Sequence, residues 1–160
     1  MQLYLVQHGE AVPEEVDPVR PLSASGQGDV ARVAAFLAVA GVRPERVMHS
    51  GKRRTEQTAE ILAAAVAPDT VPAARADLNP NDPTDGVARE AAAWHHAVML
   101  VGHLPFMGRL ASRLVAGRED AGVAEFQPGS VVCLDRTDQQ RWTIAWMVRP
   151  ELLPHRARSA

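Results

Sequence analysis

A single cysteine, Cys133, stands in the 160 residues, so no internal disulfide can form and the chain suits a reducing compartment. Its apolar setting, "SVVCLD", reads as that of a small buried hydrophobe rather than a nucleophile. No run of 18 or more apolar residues occurs, which argues against a membrane-spanning helix. The N-terminus shows no basic segment followed by an apolar run and a cleavage site, so the expected compartment is the cytoplasm. Neither sign of charge dominates: 17 Lys and Arg face 19 Asp and Glu, for a net charge of −2. No overall field therefore draws the chain to nucleic acid or to a membrane. His-x-His, Glu-x-x-His and Cys-x-x-Cys spacings are all missing, so a mononuclear metal site built on His8, His49, His103 and Glu10 has little support and no cofactor is expected. Internal repeats and low-complexity tracts are missing too.

What is present is core material. The chain is 46% hydrophobic, enough for one sizeable core, so one domain is expected over residues 1–150. The proline-broken, basic stretch 151–160 is expected to be a flexible tail. Residues 2–6 read as a strand, and 24–41 as an amphipathic helix with Val30, Val33, Ala34, Leu37 and Ala38 on one face and Gly41 at its end. Residues 45–49 form a second strand, followed by a helix over 53–67 with an apolar stripe of Ala59, Leu62, Ala63 and Val66. After an extended piece near 71–75, Asp82 is expected to cap a helix that has Pro83 at its first position and runs to about His96. The unbroken apolar run 97–102 reads as a strand buried on both faces, and Pro105 opens a helix to about Val115. Runs 130–136 and 141–148 read as a hairpin, with Trp142, Ile144 and Trp146 on one alternating face. The pattern predicts an α/β fold: a three-layer sandwich with a mostly parallel central sheet flanked by helices, made mixed by the C-terminal hairpin.

In such sheets ligands sit beyond the carboxyl ends of the strands. Three strand ends carry polar groups: Gln7, His8, Gly9 and Glu10 after the first, His49, Ser50 and Arg54 after the second, His103 after the third. Parallel order brings them to one rim. Arg54 also opens a helix, where free backbone N–H groups and the helix dipole favour anions. Gly9 allows a sharp turn or a close backbone approach. One imidazole to attack, with a second imidazole and a guanidinium to hold oxygens, describes a phosphoryl-transfer pocket.

"LVQHGEA", "SGKRRTEQTA" and "LVGHLPFMG" resemble the histidine phosphatase superfamily, whose signatures are Arg-His-Gly after the first strand, Ser-x-x-x-Arg-x-x-x-Thr after a later one, and a late His at a strand end. The short length, "VRPLSASG" and "GHLPFMG" narrow the resemblance to the SixA-type phosphohistidine phosphatases over residues 1–150. The resemblance implies His8 as the nucleophile that becomes phosphorylated, with Arg54 and His103 binding phosphoryl oxygens. It puts Gln7, Gly9, Arg20 and Ser50 at the substrate, and leaves Glu10 as a candidate acid, with Asp77 and Asp82 in reach of the rim. The implied partner is a phosphohistidine-bearing protein or a small phosphoester. Two positions depart from the pattern: Gln7 stands where the family has arginine, and Gly51 where relatives carry proline. Loss of that guanidinium leaves two readings, a phosphatase or a weakly active or non-catalytic phosphohistidine-binding module.

Overall fold

The computed structural model describes residues 1–155. Its strands are β1 (Gln2–Gln7), β2 (Arg46–His49), β3 (Ala73–Ala74), β4 (Val98–Gly102), β5 (Val131–Arg136) and β6 (Trp142–Val148). Its helices are α1 (Ala24–Val39), α2 (Arg53–Val66), α3 (Asp85–Ala93) and α4 (Phe106–Ala116). They build one six-stranded sheet in the order β3-β2-β4-β1-β5-β6. The first four strands run parallel, and β5 runs against both β1 and β6. The mixed α/β sandwich expected from the sequence is the observed architecture. No helix among the described residues is long and apolar enough to cross a membrane.

Each inner strand divides its side chains between two cores because successive residues point to opposite faces. Tyr4, Val6, Met99, Val101, Val131 and Cys133 meet the stripes of α1 and α2, including Val33, Leu37, Leu62 and Val66. Leu3, Leu5, Leu100, Val132 and Leu134 meet Phe106, Met107 and Leu110 of α4 and Val87 and Ala91 of α3. Every residue of β4 is buried, as its unbroken apolar run requires in a strand covered on both sides.

The structure corrects three expectations. Asp82 and Pro83 do not start α3: the Asp82 carboxylate instead accepts the Asn79 N–H at 2.8 Å, closing a turn. The helix begins after Thr84, whose hydroxyl donates to Glu119. It ends at Ala93, before His95 and His96, and Arg136 donates to the carbonyls of Ala91, Ala92 and Trp94 at that end. Trp142 and Trp146 do not share a face. The register of β5 and β6 shifts between Cys133 and Leu134, and such a bulge turns the following side chains to the other side. Trp142 therefore joins the α3–α4 core, while Trp146 packs beside Tyr4, ring centroids 5.9 Å apart. Lastly, the expected tail is seated at its start. Pro150–Leu152 form a short 3₁₀ turn whose Pro150 carbonyl accepts from Arg32, and Leu153 packs on the α1 side. Residues 156–160 of that expected tail lie outside the described residues.

One contact fixes α1 against the loop that leaves β1. A Cβ on Gly26 would lie 2.1 Å from the Glu10 carbonyl oxygen, a backbone atom with little freedom to move. Gly26→Ala is therefore expected to lower stability by about 1–3 kcal/mol, read from urea unfolding. An unchanged midpoint would show that this contact does not hold α1.

Candidate active site

Strands β2, β4 and β1 are neighbours running the same way, with Gln7 opposite Gly102 and His49 opposite Val101. The residues that follow them, His8, Ser50 and His103, thus emerge together at the carboxyl edge. The rings of His8 and His103 meet edge to face, 5.1 Å between centroids.

Backbone contacts hold His8. Its N–H donates to Gly102 O at 3.0 Å, and its Nδ1 lies 2.6 Å from Gly9 O. A carbonyl only accepts, so Nδ1 carries the proton and Nε2 keeps its lone pair. Burial pushes the His8 pKa from 6.5 down to about 4, opposed by the Gly9 carbonyl and assisted by the charges of Arg54 and Arg20. The ring is neutral at pH 7, as a nucleophile must be.

His103 is buried, with Nε2 2.7 Å from Ser50 Oγ and Nδ1 3.4 Å from Arg54 Nη2. Burial, then the neighbouring His8, Arg54, Lys52 and Arg20, bring its pKa down to about 3. Arg54 sits in the first turn of α2. Its Nε is buried without a hydrogen-bond partner, and burial followed by the charge of Arg20 disfavours its cation. Arg20 adopts a left-handed φ of 53°, uncommon for a residue with a Cβ, and donates from Nε to Val12 O at 3.2 Å. Neither arginine is ion-paired among the described residues. Two guanidinium groups and two imidazoles therefore converge with no carboxylate of the described residues acting on them.

Other residues singled out from the sequence lie behind this group or away from it. Gly9 is buried: its N–H donates to Thr58 Oγ1 at 3.0 Å and its carbonyl holds His8. Glycine is required there because a Cβ would lie 2.7 Å from Val30 Cγ2 and 3.1 Å from Gly26 O, so the close approach is to α1. Ser50 spends both of its contacts on His103 and Thr55. The Gln7 side-chain oxygen is buried without a partner. Glu10 accepts from Ser23 Oγ at 2.6 Å, and Ser23 caps α1. Asp77 is paired with Arg75, and Asp82 closes its turn. His49 accepts the Gly51 N–H, and its charged neighbours are Glu56 and Glu60. Gly51 has φ 86°, which proline cannot adopt, so this turn could not form with the proline that the resemblance led one to expect there.

Two site-building residues were given no role by the reading of the sequence, although one of them, Thr58, is the threonine of the Ser-x-x-x-Arg-x-x-x-Thr signature. Thr58 donates to Arg54 O at 2.7 Å while accepting the Gly9 N–H, so one hydroxyl joins α2 to the His8 loop. Its spacing of four residues from Arg54, one helical turn, is the available signal. Thr55 bonds Ser50 and carries no comparable signal.

No family model matches the chain. It is 26% identical over 159 residues to phosphohistidine phosphatase SixA of Escherichia coli, covering 94% of each. It is 30% identical over 155 residues to an uncharacterized protein of Picosynechococcus sp., covering 88% of this chain and 93% of the other. A structure of the protein histidine phosphatase SixA complexed with tungstate superposes with a TM-score of 0.84 at 25% identity, over 95% of this chain and 99% of that one. The chain is homologous, in sequence and in structure, to SixA phosphohistidine phosphatase of the histidine phosphatase superfamily. An alpha-ribazole phosphatase from Shigella flexneri shares the fold, with a TM-score of 0.75 at 17% identity over 94% and 97% of the two chains.

In this pocket both imidazoles, His8 and His103, bind protons less readily in the folded chain than in the unfolded one. Their contribution to stability is complete above about pH 6.5 and is lost as pH falls from there towards 4 and 3, at up to about 1.4 kcal/mol per pH unit for each ring. Urea unfolding at pH 7 and pH 5 should show a smaller acid loss for His103→Gln than for the unsubstituted chain. Equal losses would contradict the low pKa of His103.

Proposed function

We propose that the chain is a metal-independent phosphatase that hydrolyses phosphohistidine on a protein partner, or a small phosphoester, through a phosphoryl group carried on His8. The observation that supports it most is the uncompensated cluster of His8, Arg54, His103 and Arg20. A tetrahedral oxyanion relieves like charges held this close, and the SixA structure that superposes on this chain was solved with one, tungstate. In the first step the Nε2 lone pair of His8 forms a bond to phosphorus, and the bond to the leaving group breaks with its electron pair. A phosphohistidine protonated at its other ring nitrogen leaves as neutral imidazole, which removes the need for a protein acid. This suits a site where Glu10, Asp77 and Asp82 are all engaged elsewhere. In the second step water attacks the phosphoryl group, the P–N electron pair returns to Nε2, and phosphate departs. Arg54 and His103 hold the oxygens, with Arg20 adding charge from the rim.

Gln7 favours a second reading, a phosphate or phosphohistidine binder with little turnover. An amide gives neither the charge nor the fork of a guanidinium, and its oxygen is buried without a partner. Turnover of a phosphohistidine protein and of a monoester panel, by the unsubstituted chain and Gln7→Arg, separates the two. A phosphatase should gain roughly 10²- to 10³-fold in kcat from the added donor and be unaffected by chelator. Background rates in both proteins, with phosphate binding that depends on Arg54, would support the binder.

A further inference from the structure

The hydroxyl chain behind His103 has a single direction. Thr55 Oγ1 lies 2.7 Å from Lys52 O, a carbonyl that only accepts, so Thr55 donates to it. The Thr55 oxygen then accepts from Ser50, 2.9 Å away. Having given its hydrogen to Thr55, Ser50 meets His103 Nε2 at 2.7 Å as an acceptor, so Nε2 carries the imidazole proton. The far side of the ring agrees, because Arg54 Nη2, which only donates, faces Nδ1. Ser50, Thr55 and His103 are 8%, 0% and 2% exposed, so the chain is shielded from solvent. The neutral ring therefore keeps its lone pair at Nδ1, on the side of Arg54 Nη2, 3.4 Å away, where an oxyanion bound by that guanidinium would meet it.

Two lone pairs repel unless a proton lies between them. We infer that the Ser50–Thr55 pair makes oxyanion capture proton-linked, His103 taking one proton at Nδ1 when a fully ionised oxyanion enters and releasing it when the anion leaves. The inference rests on the phosphoryl-binding reading above and makes Ser50 and Thr55 positioning residues. The charged and titratable groups around the ring are His8 at the end of β1, Lys52 and Arg54 at the start of α2, and Arg20 before α1. No carboxylate is among them. With the pocket empty these groups and burial keep the ring neutral far below pH 7, and an entering anion reverses the balance.

Sulfate is the cleanest probe, since it carries no proton near neutral pH and any proton taken up belongs to the protein. In ¹⁵N-histidine-labelled protein at pH 7, NMR should show His103 protonated at Nε2 alone without sulfate and at both nitrogens with it. Sulfate affinity should fall about tenfold per unit between pH 6 and 8. Thr55→Val frees the Ser50 hydrogen to donate to Nε2, so the proton moves to Nδ1 and sulfate binding loses most of its pH dependence. Thr55→Ser restores both. An Nδ1–H tautomer in the unsubstituted empty pocket overturns the inference. So does sulfate that binds with His103 left neutral, or an unchanged pH slope in Thr55→Val. A pocket that binds neither sulfate nor vanadate overturns the proposed function along with it.

Discussion

The hydrogen bond from Gly9 N–H to Thr58 Oγ1, 3.0 Å long, ties the two halves of the site together. Through it the loop leaving β1, which carries His8, is fastened to the first turns of α2, which carry Arg54. The Thr58 hydroxyl passes its own hydrogen to Arg54 O, so one side chain ties the His8 loop to the helix turn that carries the Arg54 guanidinium. Gly9 can reach Thr58 only because α1 approaches its bare Cα, with Val30 and Gly26 where a side chain would be.

This fastening holds together groups that repel. Arg20 and Arg54 lower the proton affinity of His8 and His103, and Arg20 lowers that of Arg54. Among the described residues no carboxylate is ion-paired with either arginine. Like charges in a partly buried site cost stability unless a partner arrives, and two packed cores on either side of the sheet offset that cost. On the proposed reading the pocket is thus prepared for an anion before one is bound, which is the form of catalysis phosphoryl transfer asks of a protein.

Much of this could be read from the chain alone, for identifiable reasons. Unbroken apolar runs at 2–6 and 97–102 mark buried strands because a strand covered on both faces has no polar side to show. The strand ends then give His8 and His103 by geometry. What escaped notice depends on tertiary partners. Asp82–Pro83 has the local chemistry of a helix start, yet Asp82 is taken by Asn79 and the helix waits for Thr84, which Glu119 holds. The bulge that separates Trp142 from Trp146 leaves no mark in an alternating pattern. Ser50 read as a substrate ligand because its motif places it beside the pocket, and only its bonds to His103 and Thr55 show it standing behind the ring.

The central claim is that His8 Nε2 accepts a phosphoryl group. Intact-mass measurement after brief incubation with phosphoramidate, quenched at alkaline pH where phosphohistidine survives, tests it most directly. Phosphoryl transfer through His8 requires one added phosphoryl group on the unsubstituted chain and none on His8→Ala. The same mass for both proteins, with or without the adduct, would contradict it.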